Sequence, residues 1–165
     1  MTAMEVHFDG HCFGCGQLNL EGLRMVFTPV PGGAVAEYKV PERYQSWAGM
    51  VHGGVMALML DEAVGWAGWH AGHPGVTGRL QVSYRRPLKL GETVRVVGQL
   101  ERVRRTLVYC NAFIESRDAG DRIADATATL MMTDTKIDPN AGAPPSVGGG
   151  APPPNPPSAR GIETQ

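Results

Sequence analysis

Hydrophobic and polar residues follow two different patterns along this chain, and the change of pattern divides it into elements. From residue 55 to residue 64 every side chain is apolar except the carboxylates Asp61 and Glu62. A segment that is apolar on all sides is typical of a buried helix rather than a surface helix. The pattern therefore predicts one long buried helix that begins just before residue 55 and ends near Trp69.

Alternation of apolar and polar residues with a period of two marks six candidate strands around this helix. Two precede it and four follow it, and turn signals such as Pro31-Gly32-Gly33 separate neighbouring runs. One helix among six strands has to be covered by the sheet, so we predict a single α+β domain whose antiparallel sheet curls round the helix. The apolar positions of the six runs are Leu23, Met25 and Phe27; Ala36, Tyr38 and Val40; Leu80, Val82 and Tyr84; Val94, Val96 and Leu100; Val108, Cys110, Ala112 and Ile114; and Ala124, Ala126, Ala128 and Leu130.

Composition separates this domain from a tail. From residue 135 the chain consists mainly of Pro, Gly, Ala and polar residues, which cannot bury enough apolar surface to offset their ordering entropy. We therefore predict an N-terminal turn segment over 1–21, a folded domain over 22–134 and a disordered tail over 135–165. A chain of 165 residues is long enough to give this domain a substantial core.

Charge and apolar run lengths argue against several classes of partner. The net charge is −1, which argues against nucleic acid. No apolar run approaches the roughly 20 residues that span a bilayer, and residues 1–10 lack a secretory-signal pattern. Three cysteines, an odd number, suit a reducing compartment. We expect a cytoplasmic protein that binds neither nucleic acid nor a membrane.

Cys12 and Cys15 form a Cys-x2-Cys motif, which is half of many structural zinc sites. The second half is missing downstream, and using His7 and His11 as the other ligands would be crowded. We therefore interpret the motif as a glycine-rich turn with small buried thiols, and expect no metal and no organic cofactor.

The start of the predicted helix combines hydrogen-bond donors with an acid, an arrangement suited to chemistry on a carbonyl group. Gly53 and Gly54 leave free N–H groups approachable at the helix start, and Asp61 lies in its apolar body. Gly53 and Asp61 are about 12 Å apart along the axis, too far for both to act on one substrate. If both are functional, two antiparallel copies of the helix would bring them together, which predicts a two-fold dimer with composite sites.

Several short motifs occur in a fixed order along the domain. They are Cys-Phe-Gly-Cys-Gly at 12–16, His-Gly-Gly at 52–54 with Asp61 following, Val-Ser-Tyr-Arg-Arg-Pro at 82–87 and Leu-Gly-Glu at 90–92. Together they resemble the hotdog-fold acyl-CoA thioesterases, especially the phenylacetate-pathway (PaaI-type) enzymes and the thioesterase-superfamily-member proteins. The resemblance implies a hotdog fold, a curled sheet of about six strands round one long central helix. It also implies homodimers, often paired into homotetramers, with active sites at the dimer interface.

The resemblance also implies roles for individual residues. Gly53 matches the glycine whose N–H polarises the thioester carbonyl, and Asp61 matches the carboxylate from the other subunit that acts as general base or nucleophile. Thr77 matches a hydroxyl residue that holds the attacking water, and His52 would orient the loop or the carbonyl. The residues expected to contact substrate are Gly54, Ser46, Trp47, Glu62, Arg85 and Arg86, the two arginines through the phosphates of coenzyme A.

The function implied by the resemblance is hydrolysis of an acyl-CoA, or a related acyl thioester, to the free acid and coenzyme A. Two alternatives stay open: a hotdog hydratase or dehydratase that uses His52 with a carboxylate, and a non-catalytic acyl-CoA-binding module. Structural roles also stay open for single residues. An arginine across the interface could neutralise Asp61, Glu62 could belong to a salt bridge, and the arginines could form a solvated face.

Overall fold

A computed structural model describes residues 9–133 of the chain. Two parts of the sequence analysis lie outside the described residues. They are the predicted tail over 135–165 and residues 1–8, which include His7 and most of the segment that lacks a secretory-signal pattern. The elements in chain order are β1 (Thr28–Val30), β2 (Gly33–Lys39), a 3-10 turn (Glu42–Tyr44), α1 (Gly53–His70), β3 (Gly75–Tyr84), β4 (Thr93–Arg104), β5 (Leu107–Ser116) and β6 (Arg122–Met132).

One antiparallel sheet joins the six strands in the order β1-β2-β4-β5-β6-β3. The two strands that flank α1 in the chain, β2 and β3, are separated in the sheet by three others. The helix therefore crosses one face of the sheet, where it contacts every strand from β2 to β6. This arrangement confirms the predicted α+β class and the hotdog fold, with a six-stranded curled sheet round one helix.

The helix α1 rests directly on the sheet. Met59, Leu60 and Val64 are completely buried, which confirms the prediction of a buried helix. The helix comes very close to the sheet at Gly98 of β4, where an added β-carbon would lie 2.0 Å from the carbonyl oxygen of Ala63. A glycine in β4 thus sets the distance between helix and sheet. Within residues 9–133 no helix combines the length and the hydropathy that crossing a bilayer requires.

The first predicted strand is an irregular segment outside the sheet, in which Arg24 has a left-handed backbone conformation (φ 51°), so its assignment as a strand was wrong. Leu23, Met25 and Phe27 are buried, as the period-two pattern predicted. The N–H groups of Leu23 and Met25, however, donate to the carbonyls of Phe13 and Gly14 at 2.8 and 3.0 Å. The segment pairs with the Cys-x2-Cys turn, and the sheet begins only at β1. The alternation identified the buried face correctly but carried no information about the hydrogen-bonding partner.

Candidate active site

The start of α1 presents one free amide. His52 is the N-cap residue, and its Nδ1 accepts a hydrogen bond from the N–H of Gly54 at 2.9 Å. The carbonyl of Gly53 accepts a hydrogen bond from the Tyr84 hydroxyl at 2.9 Å, which ties the helix start to the end of β3. Within residues 9–133 no acceptor takes the N–H of Gly53. This group is therefore available to a ligand at the positive end of the helix.

The cap also determines which nitrogen of the His52 ring carries a proton. An amide N–H only donates, so Nδ1 is the acceptor and the neutral ring has its proton on Nε2. A ring in this state has no free lone pair with which to act as a base. This geometry favours an orienting role for His52 and disfavours the hydratase alternative.

Packing within the protomer does not explain the glycine at position 53. A β-carbon added there would meet only the Tyr84 ring and hydroxyl, at 3.7 Å, which is ordinary van der Waals contact.

Tyr84 is itself a residue whose contribution to the site the sequence did not reveal. Its hydroxyl holds the carbonyl next to the free amide, and no motif of the chain signals this long-range contact.

Asp61 and Thr77 meet in the folded chain although they come from different elements. The Thr77 Oγ1 donates to Asp61 Oδ1 at 2.7 Å. The register of β3 against β6 shifts between Thr77 and Arg79, so Gly78 is the extra residue of a bulge. Bulges redirect neighbouring side chains, and this one lies beside the residue that reaches Asp61. An isolated glycine inside a strand suggests a bulge, but the alternating run predicted from the sequence began only at Leu80, so Gly78 was not recognised as part of the strand.

A cavity of about 200 Å³ lies beside the Asp61–Thr77 pair. Residues of α1 form one wall, and the first three residues of β3 form another. Cys12 and Cys15 close a third side. The helix contributes Gly65, Trp66 and Trp69 in addition to its two carboxylates. The structure thus brings two of the predicted catalytic residues to one concave surface, and Gly53 to a different place at the helix start.

Glu62 faces the Cys-x2-Cys turn. The Cys12 thiol donates to Glu62 Oε1 at 3.4 Å, and the Cys15 thiol lies in the same cluster. Burial raises the pKa of the Glu62 carboxyl, and the charge of Asp61 raises it further, while hydrogen bonds from the two thiols act in the opposite direction. Burial, followed by the nearby Glu62 charge, also raises the pKa of the Cys15 thiol far above its ordinary value. Among residues 9–133 the neighbours of this carboxylate are thiols and the Trp66 indole, not the cation of a salt bridge.

Ser46 and Trp47 lie on the loop before α1, away from the cavity. The Ser46 hydroxyl donates to the carbonyl of Met50 at 3.4 Å. The Trp47 side chain is 80% exposed. Their predicted contact with substrate therefore stays a prediction, and it requires a substrate that extends to the helix start.

Carboxylates of the same protomer bind Arg85 and Arg86. Arg85 donates to both oxygens of Asp125, at 2.7 and 3.1 Å. Arg86 forms ion pairs with two carboxylates: its Nη2 lies 2.6 Å from Glu92 Oε1, and its Nε lies 2.5 Å from Asp121 Oδ2. The hydrogen bond from Arg86 holds the pKa of Glu92 below its usual range. A coenzyme phosphate would have to compete with these carboxylates, so the geometry favours a structural role for both arginines, and their predicted phosphate contact stays untested.

Comparison with known proteins agrees with this fold. The family model described as "Thioesterase superfamily" matches residues 48–122, a range that contains the helix start, Asp61 and Thr77. Human acyl-coenzyme A thioesterase 13 is 29% identical over 104 residues, which cover 62% of this chain and 74% of that protein.

Two solved structures extend the comparison to the fold. A crystal structure of a thioesterase superfamily protein superposes with a TM-score of 0.71 at 26% identity, covering 79% of this chain and 68% of that one. Zebrafish thioesterase superfamily member 2 superposes with a TM-score of 0.63 at 25% identity, covering 70% of this chain and 88% of that one. The sequence pattern, the six-stranded sheet round one helix and these similarities agree: the chain has the hotdog fold, and it is similar in sequence and structure to proteins of the thioesterase superfamily.

Proposed function

We propose that this protein is a thioesterase that hydrolyses an acyl-CoA thioester to the free acid and coenzyme A, in sites shared between two protomers. The observation that carries the proposal is the 2.7 Å hydrogen bond from Thr77 to Asp61 at the edge of a cavity. It holds a carboxylate of a largely apolar helix in one orientation, where it can act on water. The name of the human relative, acyl-coenzyme A thioesterase 13, supports coenzyme A as the leaving group.

The chemistry follows from the two oxygens of Asp61. Thr77 occupies Oδ1, so Oδ2 is left to take a proton from water as the water oxygen attacks the thioester carbon. The electron pair of the carbonyl moves to its oxygen, which accepts a hydrogen bond from the free N–H of Gly53. The carbon–sulfur bond then breaks, and the proton held by Asp61 passes to the departing sulfur. Direct attack by Oδ2, through an anhydride that water hydrolyses, is the second route open to the same atoms.

The proposal needs two protomers because of distance. Gly53 and Asp61 of one helix are about 12 Å apart, whereas each must come within about 3 Å of the same thioester group. The cavity of one protomer, about 200 Å³, is also smaller than the roughly 300 Å³ at which ligand pockets usually begin. A second copy would supply both the missing amide and the missing wall.

The edge of the sheet supports such a pairing. β3 is the last strand of the sheet, and its ten residues have no partner on the outer side among the described residues. Long unpaired edges are normally covered in stable proteins. The apolar side chains of Val76, Tyr84 and Met131, at or beside this edge, are 38–50% exposed. A two-fold axis between two β3 strands would cover these groups and set the two helices antiparallel.

Mixing two inactive variants tests the composite site. Asp61→Asn removes the carboxylate, and Gly53→Pro removes the amide donor. Proline is well tolerated at the first helical position, and His52 already has the extended backbone, with ψ at 133°, that a residue before proline requires. When the variants are co-refolded in equal amounts, half of the dimers are mixed and each mixed dimer has one intact site. We expect thiol release to recover to about a quarter of the wild-type rate, measured over aromatic, branched and medium-chain acyl-CoA substrates.

The mixing experiment has its control in the separate variants. Each homodimer alone should stay at the background rate, because each lacks one half of both sites. If the mixture is no more active than the two variants measured apart, the site lies within one protomer and the proposed sharing is wrong. If wild-type protein releases no thiol from any acyl-CoA of the panel, the proposed substrate class is wrong.

Thr77→Val should reduce the rate without removing the acid. Valine keeps the shape of threonine but cannot donate to Asp61, and a hydrogen bond to a charged group is worth about 1.5 kcal/mol, or roughly tenfold in rate. We expect kcat to fall by about that factor and KM to change little. Thr127→Val, on the exposed side of β6, is the matched control and should leave both constants unchanged. An unchanged kcat in Thr77→Val would remove Thr77 from the mechanism.

A further inference from the structure

A second cluster of reactive groups lies next to the proposed catalytic acid. Cys12, Cys15 and Glu62 each offer one metal-ligand atom, and these three atoms lie within 4.8 Å of one another. The Cys12 Sγ is 3.4 Å from Glu62 Oε1. The mechanism above uses none of the three side chains.

The turn is shaped around the carboxylate of Glu62. A β-carbon at Gly14 would lie 2.2 Å from Glu62 Cδ, so only glycine leaves room for the acid between the two cysteines. The main chain then holds the turn in place: the Gly16 N–H donates to the Cys12 carbonyl at 2.8 Å, and the N–H of Met25 donates to the Gly14 carbonyl at 3.0 Å. Backbone hydrogen bonds therefore position both thiols independently of any bond that the thiols make.

Two thiols and one carboxylate form the donor set of a soft divalent ion. Zn²⁺ takes cysteine sulfur at about 2.3 Å and carboxylate oxygen at about 2.0–2.2 Å, which places tetrahedral ligands roughly 3.5–3.8 Å from one another. The 3.4 Å between Cys12 Sγ and Glu62 Oε1 is close to that separation. Since all three ligand atoms lie within 4.8 Å of one another, small side-chain movements would bring them to the distances that a tetrahedral ion requires. Hard ions such as Mg²⁺ and Ca²⁺ prefer sites made of oxygen alone.

We infer that Cys12, Cys15 and Glu62 form a binding site for a zinc-class divalent ion at the wall of the catalytic cavity. The sequence alone offered only His7 and His11 as further ligands, a crowded arrangement from which we expected no metal, whereas the fold supplies a carboxylate from α1. All three ligands line the cavity that also contains Asp61. The fourth coordination position therefore faces this cavity, where a water or a small anion completes the tetrahedron. A bound ion would fasten the N-terminal turn to α1.

Cobalt titration tests the site without any reference to catalysis. The full-length protein is reduced, stripped of metal and titrated with Co²⁺ under anaerobic conditions. We expect one ion per chain, with the sulfur-to-cobalt charge-transfer band and the intense visible bands of four-coordinate cobalt, and displacement by Zn²⁺. The zinc-loaded protein should also unfold at a higher temperature than the stripped protein, because the ion binds only the folded turn.

Single substitutions assign the ligands. Even a residue that only hydrogen-bonds to a metal ligand typically weakens metal binding by about 10–100-fold when it is lost. Loss of a direct ligand should cost at least as much. We therefore expect about 100-fold weaker Co²⁺ binding, or more, in each of the variants Cys12→Ser, Cys15→Ser and Glu62→Gln. Cys110→Ala is the matched control, since this third cysteine is buried in the sheet, and it should bind as wild type does.

Two results would overturn the inference. One is a reduced wild-type protein that shows no sulfur-to-cobalt band. The other is a Glu62→Gln variant, folded by circular dichroism, that binds Co²⁺ with unchanged affinity. Because binding is read by absorbance, either result leaves the proposed thioester hydrolysis untouched, and an inactive enzyme would leave the metal site untouched.

Discussion

Asp61→Asn is expected to lower kcat for acyl-CoA hydrolysis by about 100- to 10,000-fold, the range that general-base catalysis usually contributes. The amide has nearly the shape of the carboxylate and can still accept the hydrogen bond from Thr77 through its oxygen. It cannot take a proton from water, and it cannot form an anhydride with the acyl group. Both routes through Asp61 therefore end with this one substitution, while the fold and the cavity should persist.

The measurement is thiol release under saturating acyl-CoA, with substrate binding followed separately by calorimetry. We expect the dissociation constant to change little, because the substituted group acts on water and not on the coenzyme. Asp118→Asn, the same chemical change in the exposed turn between β5 and β6, should leave kcat at the wild-type value. A fully active Asp61→Asn enzyme would eliminate the mechanism and leave Glu62 as the nearest other acid.

Gly98→Ala is expected to destabilise the fold by about 3 kcal/mol or more, at the upper end of the range for overpacked cores. The added carbon would lie 2.0 Å from the Ala63 carbonyl oxygen and 2.5 Å from its carbonyl carbon. Both are backbone atoms of α1, so no side-chain rotation can relieve the contact. The helix has to move away from β4, and the completely buried Leu60 and Val64 lose contacts as it does so.

Urea unfolding at one fixed protein concentration measures this effect, because the stability of the proposed dimer would depend on concentration. Gly65→Ala is the matched control: it lies in the same helix, and a β-carbon there would meet nothing within 4 Å of the protomer. Alanine is a better helix former than glycine, so this variant should gain up to about 1 kcal/mol. If the two substitutions shift the unfolding midpoint equally, direct contact between helix and sheet is not what Gly98 provides.

The candidate site divides into residues that the sequence could identify and contacts that it could not. Gly53 and Asp61 were predicted from the sequence pattern, since a glycine at a helix start and an acid in an apolar helix are unusual on their own. Thr77 was predicted only from the resemblance to the hotdog-fold thioesterases. That Thr77 bonds to Asp61 depends on the bulge at Gly78, which redirects one side chain of an edge strand. The ion pairs of Arg86 with Glu92 and Asp121 likewise join residues up to 35 positions apart.

By itself, then, the sequence determined the class of fold, the position of the helix and the inward-facing side chains of most extended segments, because these follow from the local pattern of apolar and polar residues. In β3 this pattern did not predict burial correctly, since Tyr84 is 50% exposed. Only the tertiary structure decided that Leu23 and Met25 pair with the Cys-x2-Cys turn, and that the turn encloses Glu62. It also decided that Gly98 sets the height of α1 above the sheet. These contacts join segments that are distant in the sequence, and the local pattern of apolar and polar residues does not specify which segments come into contact.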